Sequence, residues 1–189
     1  MKEIVNRIIL DVQKGDQNAF GDLIDLYQNK VYSICYRLIG NRQEAEDLTQ
    51  ETFLRAYLNL DSYQADKKFS SWLFRIATNV TIDRLRKKKP DYSLDAEISG
   101  TDGMTMYTQL ASDGWLPEEE AVETELKERL HGEIMQLPPK YRAAIVLKYI
   151  EDLSLKEIAE ILNLPLATVK TRIHRGREAL RKRLNPEQN

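Results

Sequence analysis

The sequence is poor in the residues that hold metals or close disulfides, with one cysteine and two histidines. Cys35 lies in an apolar stretch and is best explained as a buried core thiol. His131 and His174 are far apart with no cysteine between them, which is not a metal-ligand spacing. The sequence therefore predicts no internal disulfide, no metal site and no cofactor.

Glycine and proline are also scarce, at 8 and 6 residues, which favours long helices over a many-stranded sandwich. No apolar run approaches the ~18 residues that a membrane span needs. The start, Met1–Arg7, mixes both charge signs and lacks the apolar core of a signal peptide. We therefore expect an all-α chain that is cytoplasmic and is not itself a membrane protein.

Basic residues are absent from one part of the chain. Residues 91–121 carry no lysine or arginine and a charge of −8, whereas residues 1–90 and 122–189 each carry +3. Phosphate binding depends on where the basic groups lie, which the net charge of −2 conceals. The acidic average therefore does not exclude a nucleic-acid-binding protein.

Helical periodicity runs to Pro90, lapses over residues 91–117, and returns after Pro117. The lapse contains three glycines and only acidic charge, which is typical of a linker. The sequence thus predicts two small helical domains, 1–90 and 118–189, joined by an acidic linker, 91–117. Apolar linker residues such as Trp115 either dock on a partner or pack back on a domain. Glu118–Glu120 suit the first turn of a helix.

Stop and start signals divide the first domain into helices. Gly15 and Gly40 follow two amphipathic stretches as stops. Asn41 and Glu44 have the spacing of a capping box, with the Asn41 side chain accepting from the third helical amide. The last helix of this domain is predicted to start at about Ser70.

The C-terminal domain contains a helix-turn-helix pattern. Ser154 and Glu157 form a capping box before an apolar stretch that includes Ala159, a small residue suited to a close helix crossing. The segment 163–165 is a short turn in which proline prevents the first helix from continuing. Thr168 is the predicted N-cap of the second helix.

The second helix separates its residues by face. A buried stripe is predicted, and seven basic residues against one acid lie between Lys170 and Arg183. Arginine and lysine can donate to guanine, and a thymine methyl suits threonine. A basic solvated helix is the simpler alternative, and His174 either contacts DNA or is only exposed. The predicted stripe is Val169, Ile173, Gly176, Leu180 and Leu184. The predicted DNA-contacting set is Thr168, Lys170, Thr171, Arg172, His174, Arg175 and Arg177.

Two segments of the N-terminal domain also form surfaces. Asp47, Gln50, Glu51 and Leu54 share one side of a helix and suit an arginine-bearing partner helix, although on spacing alone an ordinary solvated face is the simpler interpretation. Aromatic residues beside a basic run at 84–89 are typical of single-stranded DNA binding. Trp72, Leu73 and Ile76 are expected in the core. The candidate DNA-contacting residues here are Ser62, Tyr63, Lys67, Lys68, Phe69, Arg75, Asn79, Arg84 and Lys87, and the alternative for Phe69 is a core position.

Four segments in this order strongly resemble an extracytoplasmic-function (ECF) sigma factor, and most closely the SigW type of that family. These segments are Asp47–Phe53, Phe69–Asn79, Leu137–Arg142 and the helix-turn-helix. The resemblance extends from about residue 15 to residue 184.

The resemblance implies a protein with two sigma domains, regions 2 and 4, that carries core RNA polymerase to promoter DNA. Asp47, Gln50, Glu51 and Leu54 would dock on the β′ clamp coiled coil, and region 4 would meet the β flap. The segment from Ser62 to Asn79 would open the −10 element and capture a flipped base, and the helix from Thr168 would read the −35 element. The acidic linker would run through polymerase channels. The resemblance further implies a membrane-anchored anti-sigma factor that holds the chain at the inner face of the membrane until cell-envelope stress releases it.

A stand-alone helix-turn-helix regulator would explain residues 137–184 equally well, but not the N-terminal segments. A helical enzyme is the third possibility. Against an enzyme, the sequence has no glycine-rich phosphate loop and no nucleophile paired with a base, so we expect no catalytic residues.

Overall fold

A computed structural model describes residues 2–88 and 128–184, and every regular element in these two ranges is a helix. The predicted all-α class is confirmed. The proposed linker, 91–117, and the predicted helix start at Glu118–Glu120 lie outside the described residues.

Four helices form the N-terminal bundle around α2, which packs against each of the other three. The side chains of Leu23, Val31, Ile34 and Leu38 on α2 are fully buried in its core. A 3₁₀ turn at Leu60–Ser62 follows α3. The helices are α1 (Lys2–Gln13), α2 (Ala19–Ile39), α3 (Arg42–Leu58) and α4 (Phe69–Lys88).

The link between α2 and α3 follows the predicted signals. Gly40 takes φ 74°, in the left-handed region that glycine favours, and its N–H donates to the Tyr36 carbonyl at 2.8 Å. The Asn41 side chain accepts from the Glu44 N–H at 3.0 Å, as predicted. The Glu44 carboxylate pairs with Lys88. One residue therefore helps to start α3 and also ties it to the end of α4.

The C-terminal domain has a helix at residues 128–135 (α5), then α6 (Pro139–Ile145), α7 (Leu155–Leu162) and α8 (Leu166–Leu184). A π-helical turn, Val146–Ile150, extends α6. Pro139 lies in the first turn of α6, where a missing N–H costs nothing, so α6 can start directly after the break that follows α5. Both α6 and α7 pack against α8.

The helix-turn-helix is formed by α7 and α8. Ser154 and Glu157 make the predicted reciprocal capping box, and Asn163 ends α7 in the left-handed conformation, with φ 53°. The predicted N-cap at Thr168 is wrong, because α8 begins at Leu166 and places Thr168 inside its first turn. The Val169 N–H already donates to the Pro165 carbonyl at 3.1 Å. Proline lacks an N–H and has a φ close to the helical value, so it starts a helix without a side-chain cap.

Gly176 lies on the buried stripe of α8, where α8 crosses α6. A Cβ atom at this position would lie 2.7 Å from Cγ1 of Ile145 and 3.1 Å from its Cδ1. Glycine therefore lets the two helices approach more closely than any other residue would allow.

Gly176→Ala is expected to lower the free energy of unfolding by about 1–2 kcal/mol. The clash with Ile145 costs about 1–3 kcal/mol, and better helix propensity returns up to about 1 kcal/mol. Urea denaturation would measure the change. Gly132→Ala is the matched control, because Gly132 is also helical but a Cβ atom added to it would have no neighbour within 4 Å. Equal effects of the two substitutions would contradict the packing argument.

The two helical domains pack on each other, with α4 against α7 and the end of α2 against α6. Arg142, on α6, is 3% exposed. Its guanidinium donates to the Leu38 carbonyl in the last turn of α2, to the Leu137 carbonyl at 3.0 Å, and to the Met135 carbonyl. A buried cation at the carbonyl end of a helix is favoured by the helix dipole. One side chain thus joins both domains.

An aromatic stack also crosses between the domains. The Tyr36 ring lies between Tyr32, at 6.0 Å, and His131 of α5, at 5.2 Å, with nearly parallel planes. Burial lowers the pKa of His131, and the charges of Arg37 on α2 and Arg142 on α6 lower it further. The packing of the stack therefore favours the neutral form of the His131 imidazole.

Acidification is expected to weaken this packing. A lowered pKa means that the packed form binds fewer protons than the unpacked form, so the contribution of His131 is complete above pH 6.5 and declines as the pH falls below that value. Urea denaturation at several pH values would measure the decline. His131→Phe keeps a stacking ring that cannot be protonated, so its stability should fall less over the same range. Identical pH profiles for the two proteins would contradict this assignment.

Candidate nucleic-acid interface

The outer face of α8 carries exposed polar side chains over a buried apolar stripe. Lys170, Thr171 and His174 are exposed, whereas Val169 and Ile173 are buried beneath them. The Thr171 hydroxyl donates to the Ala167 carbonyl at 3.0 Å, within its own helix, so its methyl group is held in a defined orientation. Arg175 and Arg177 are also exposed, while Thr168 and Arg172 are half-buried at the flank. The face separation predicted from spacing is present, except that Leu184 of the predicted stripe is only partly buried.

A shallow groove of about 210 Å³ lies between the start of α7 and α8. Its apolar lining comes from Leu155 and Ile173, and its polar lining from Lys170, His174 and Arg177. Two fixed cations and an imidazole thus converge on an apolar surface, an arrangement that can bind a phosphate or a base edge. His174 is exposed and lines this groove beside Lys170 and Arg177, and its contact with DNA stays a prediction.

The candidate surface of the N-terminal bundle is the loop before α4 together with one side of that helix. Arg75 and Asn79 are exposed one turn apart, and Lys87 is exposed near the end of α4. Arg84 is half-buried and lies 3.9 Å from Glu51. In the loop, Ser62 and Lys67 are exposed, and so is Lys68, whose ammonium lies 2.7 Å from the Glu157 carboxylate of α7.

Two aromatic residues predicted to contact DNA are instead part of the core. Tyr63 and Phe69 are buried, with ring centroids 5.4 Å apart, and each also contacts the Trp72 ring. The Tyr63 hydroxyl donates to the Lys67 carbonyl at 2.7 Å, which closes the loop on itself. Neither ring is available to stack on a base in this conformation. Their observed contribution is to hold the loop against the bundle.

The three residues of α4 that were predicted to lie in the core are buried or partly buried there. Leu73 is fully buried, and Trp72 and Ile76 are partly buried against the core. Burial raises the pKa of the Tyr63 hydroxyl, and the nearby Tyr27 and Asp66 raise it further.

One side of α3 forms an exposed strip, which we call the α3 stripe and define as Asp47, Gln50, Glu51, Leu54 and Leu58. Leu54 and Leu58 are 59% and 71% exposed, so the strip has an apolar end. Exposed leucines one turn apart are typical of a docking surface. Leu58 was not predicted, although its spacing of four from Leu54 was visible in the sequence. Asp47 and Gln50 are exposed.

Glu51 differs from the other members of the α3 stripe. It is half-buried and pairs with Arg55, one turn along α3, while its second oxygen lies 3.9 Å from Arg84 on α4. The negative charge of Glu51 is therefore partly neutralised by arginines of its own bundle.

The described parts of the chain contain neither a candidate metal site nor a candidate membrane-spanning helix. Within residues 2–88 and 128–184, no three His, Cys, Asp or Glu side chains are grouped as metal ligands. No helix in those ranges is both long and apolar enough for a transmembrane span.

Both halves of the chain match models of known families. The model described as Sigma-70 region 2 matches residues 23–90, and the model described as Sigma-70, region 4 matches residues 127–180. The matched ranges contain α4 and the α3 stripe in one case and the helix-turn-helix in the other.

Relatives match over nearly the full length. The ECF RNA polymerase sigma factor SigW of Bacillus subtilis (strain 168) is 60% identical over 184 residues, covering 97% of this chain and 98% of that protein. The ECF RNA polymerase sigma-E factor of Escherichia coli (strain K12) is 34% identical over 190 residues, covering 98% and 97%.

Solved structures share the fold. CnrH, in complex with the cytosolic domain of CnrY, has a TM-score of 0.69 and 25% identity, with all of both chains covered. RpoE from Bartonella quintana, in complex with the anti-sigma factor NepR, has a TM-score of 0.63 and 22% identity, covering 89% of this chain and 98% of that one.

Proposed function

This chain belongs to the ECF sigma factors, a family of transcription initiation factors, and from that premise we propose how its surfaces divide the work of promoter recognition. The observation that carries the proposal is that three separate helices, α3, α4 and α8, each present an exposed polar face over a buried one. An initiation factor needs three such contacts: one with polymerase and one with each promoter element.

The face of α8 reads the −35 element. Lys170 and Arg177 flank the groove at the start of the helix-turn-helix, and Thr171 presents a methyl group. Arginine and lysine pair with guanine in the major groove, and a methyl contact suits thymine. Arg175 and the more distant basic residues hold the phosphates on either side.

The loop before α4 and the exposed side of that helix engage the −10 element. Lys67 and Lys68 attract the backbone of a separated strand, and Arg75 and Asn79 continue that path along α4. Tyr63 and Phe69 support this surface from beneath. A base flipped from the duplex would enter between the loop and α4.

The α3 stripe docks on core polymerase through the β′ clamp coiled coil, while region 4 meets the β flap. Acidic and amide groups at one end pair with arginines of a partner helix, and Leu54 and Leu58 supply apolar contact. Asp47 and Gln50 are the polar contacts, and Glu51 contributes with the charge that Arg55 and Arg84 leave available.

Leu54→Asp is expected to weaken binding to core polymerase by about tenfold, because a carboxylate replaces an apolar contact at the apolar end of the α3 stripe. Fluorescence anisotropy with purified core would measure the affinity. Leu10→Asp is the matched control, because Leu10 is a leucine of similar exposure on α1, outside the α3 stripe. A comparable loss in both variants would argue against α3 as the docking helix.

An anti-sigma factor is the second expected protein partner. RpoE was solved with the anti-sigma factor NepR and CnrH with the cytosolic domain of CnrY, and this chain shares their fold. Following the family resemblance, we propose that the inhibitor of this chain is membrane-anchored and holds it at the inner face of the membrane. Release during cell-envelope stress would then free the chain for polymerase.

Run-off transcription tests the proposal. Core polymerase is assayed with and without the purified chain on genomic fragments from its own source, and the start sites are mapped. We expect initiation at specific sites that depends on the chain. No stimulation together with no association with core would overturn the proposal.

Binding of the isolated chain to the mapped promoters discriminates the remaining alternative. A sigma factor of this design should bind DNA weakly alone, because polymerase sets the spacing of its two domains. Tight, sequence-specific binding without polymerase would favour a stand-alone helix-turn-helix regulator.

A further inference from the structure

The loop before α4 contains a short exposed segment, residues 64–68, which we call the arch. Every residue of the arch is exposed, whereas Tyr63 and Phe69, which flank it, are buried. The centroids of these two rings lie 5.4 Å apart with their planes nearly perpendicular, and both rings contact Trp72. The core therefore fixes both ends of the arch, and only the residues between them remain to be ordered.

Backbone hydrogen bonds order part of the arch. The Lys67 N–H donates to the Gln64 carbonyl at 3.0 Å, which closes a tight turn. The Trp72 N–H donates to the Lys68 carbonyl at 3.2 Å, so the last residue of the arch leads directly into α4. These bonds leave the carbonyls of Asp66 and Lys67 for other donors.

Two side chains outside the arch donate to those two neighbouring carbonyls. The Tyr63 hydroxyl donates to the Lys67 carbonyl at 2.7 Å, and the Lys2 ammonium, at the start of α1, donates to the Asp66 carbonyl at 3.3 Å. Because a peptide unit is planar, holding its carbonyl oxygen also fixes the direction of the N–H group on the next residue. The two donors thus set the orientation of two successive peptide units in the exposed part of the loop.

We propose that Tyr63 and Lys2 are positioning residues of the −10 surface, which hold the arch in the shape that selects the captured base. The inference rests on the proposed function, in which a flipped base enters between this loop and α4. A loop that is ordered before it binds loses less conformational entropy on binding, and its polar groups are already placed. Neither side chain has to touch the DNA for this role. The N-terminal helix α1 thereby becomes part of the promoter-reading unit.

The side chains of the arch give its shape a chemical consequence. Gln64 carries an amide that both donates and accepts, Asp66 carries a carboxylate that only accepts, and both side chains are exposed. An unstacked base is recognised through the hydrogen-bonding groups on its edge, and these groups differ from base to base. A shift of the arch would change which edge these two side chains match. Base preference is therefore the property that depends on Tyr63 and Lys2.

Tyr63→Phe is the first test, because it removes the hydroxyl and keeps a ring to pack on Phe69 and Trp72. Run-off transcription is measured on a mapped promoter that carries each of the four bases in turn at each position of the −10 element. Loss of one hydrogen bond should lower the discrimination between the preferred base and the others at one position by about threefold to tenfold. Tyr27→Phe is the matched control, because its ring lies 5.5 Å from Phe69 in the same cluster, and it should leave base preference unchanged.

Lys2→Met tests the second donor. It should change base preference at the same position and in the same direction as Tyr63→Phe, by a smaller factor because the Lys2 side chain is exposed to water. Lys2→Arg keeps a donor and should restore the wild-type preference. Lys14→Met removes the same charge just beyond the other end of α1 and should leave base preference unchanged.

NMR relaxation of backbone amides in the free chain gives a readout that does not depend on transcription. The order parameters of Asp66 and Lys67 should be about 0.85, the value of rigid backbone, and should fall below about 0.7 in Tyr63→Phe and Lys2→Met. Unchanged order parameters, or a loss of transcription that is equal for all four bases, would overturn the inference. Lower order parameters in the two variants, together with no stimulation of transcription by the wild-type chain, would support the positioning of the arch and count against the sigma function.

Discussion

Replacing Arg142 with methionine should lower the free energy of unfolding by about 3 kcal/mol or more. Methionine fills much of the same volume but donates no hydrogen bond. The carbonyls of Leu38, Met135 and Leu137 would lose a charged donor in a buried site, and each such loss costs about 1–3 kcal/mol. Urea denaturation of the full chain, followed by circular dichroism, would measure the change.

Two further variants test whether the loss of stability comes from the hydrogen bonds of Arg142. Arg142→Lys keeps the charge but loses the planar fork, so it should fall between the wild type and Arg142→Met. Arg129→Met removes an exposed arginine from α5 and should change stability by less than about 0.5 kcal/mol. If Arg142→Met cost no more than Arg129→Met, the three observed hydrogen bonds would not be stabilising the fold.

Lys170→Glu should reduce transcription from promoters that depend on the −35 element by about 100-fold. It removes a donor worth about 1–3 kcal/mol and places a negative charge beside the DNA backbone. Run-off transcription on a mapped promoter would measure the loss. Binding to core polymerase should not change, because Lys170 lies on the exposed face of α8, away from the α3 stripe.

Lys182→Glu is the control for net charge. It makes the same change on the same helix, three turns further along and outside the groove, so its effect should be many times smaller. Equal losses would mean that overall charge, and not the groove, determines promoter use. A loss of core binding as large as the loss of transcription would show that Lys170 has been given the wrong role.

Much of this organisation could be predicted because it depends on local rules. Helical spacing identified the buried stripe of α8, and the Ser154–Glu157 capping box formed as expected because both partners belong to one turn. The prediction of Thr168 as the N-cap was wrong for a local reason as well. The Pro165 carbonyl already accepts a backbone hydrogen bond from α8, so the helix begins before Thr168. The burial of Phe69 could also have been read from its spacing of four from Leu73, which is fully buried.

Other features depend on residues that are distant in the sequence. Tyr63 is buried against a core that includes Phe69 and Trp72, and no local pattern distinguishes it from an exposed loop tyrosine. Arg142 was predicted only as part of a family motif, because its partner on α2 is 104 residues away. The packing of α4 on α7 is similarly invisible in the sequence, as periodicity identifies an apolar face but not its neighbour.

The buried thiol of Cys35 has a practical consequence. It lies on α2 and is fully buried against α4, where burial raises its pKa and the Thr81 hydroxyl lies 3.5 Å from the sulfur. Little thiolate forms there, so the native chain should resist alkylation and peroxide. A thiol reagent can then react only when the bundle comes apart, and its rate of incorporation reports the frequency of that opening under native conditions. The protein thus contains its own probe of N-terminal bundle stability, with no label to introduce.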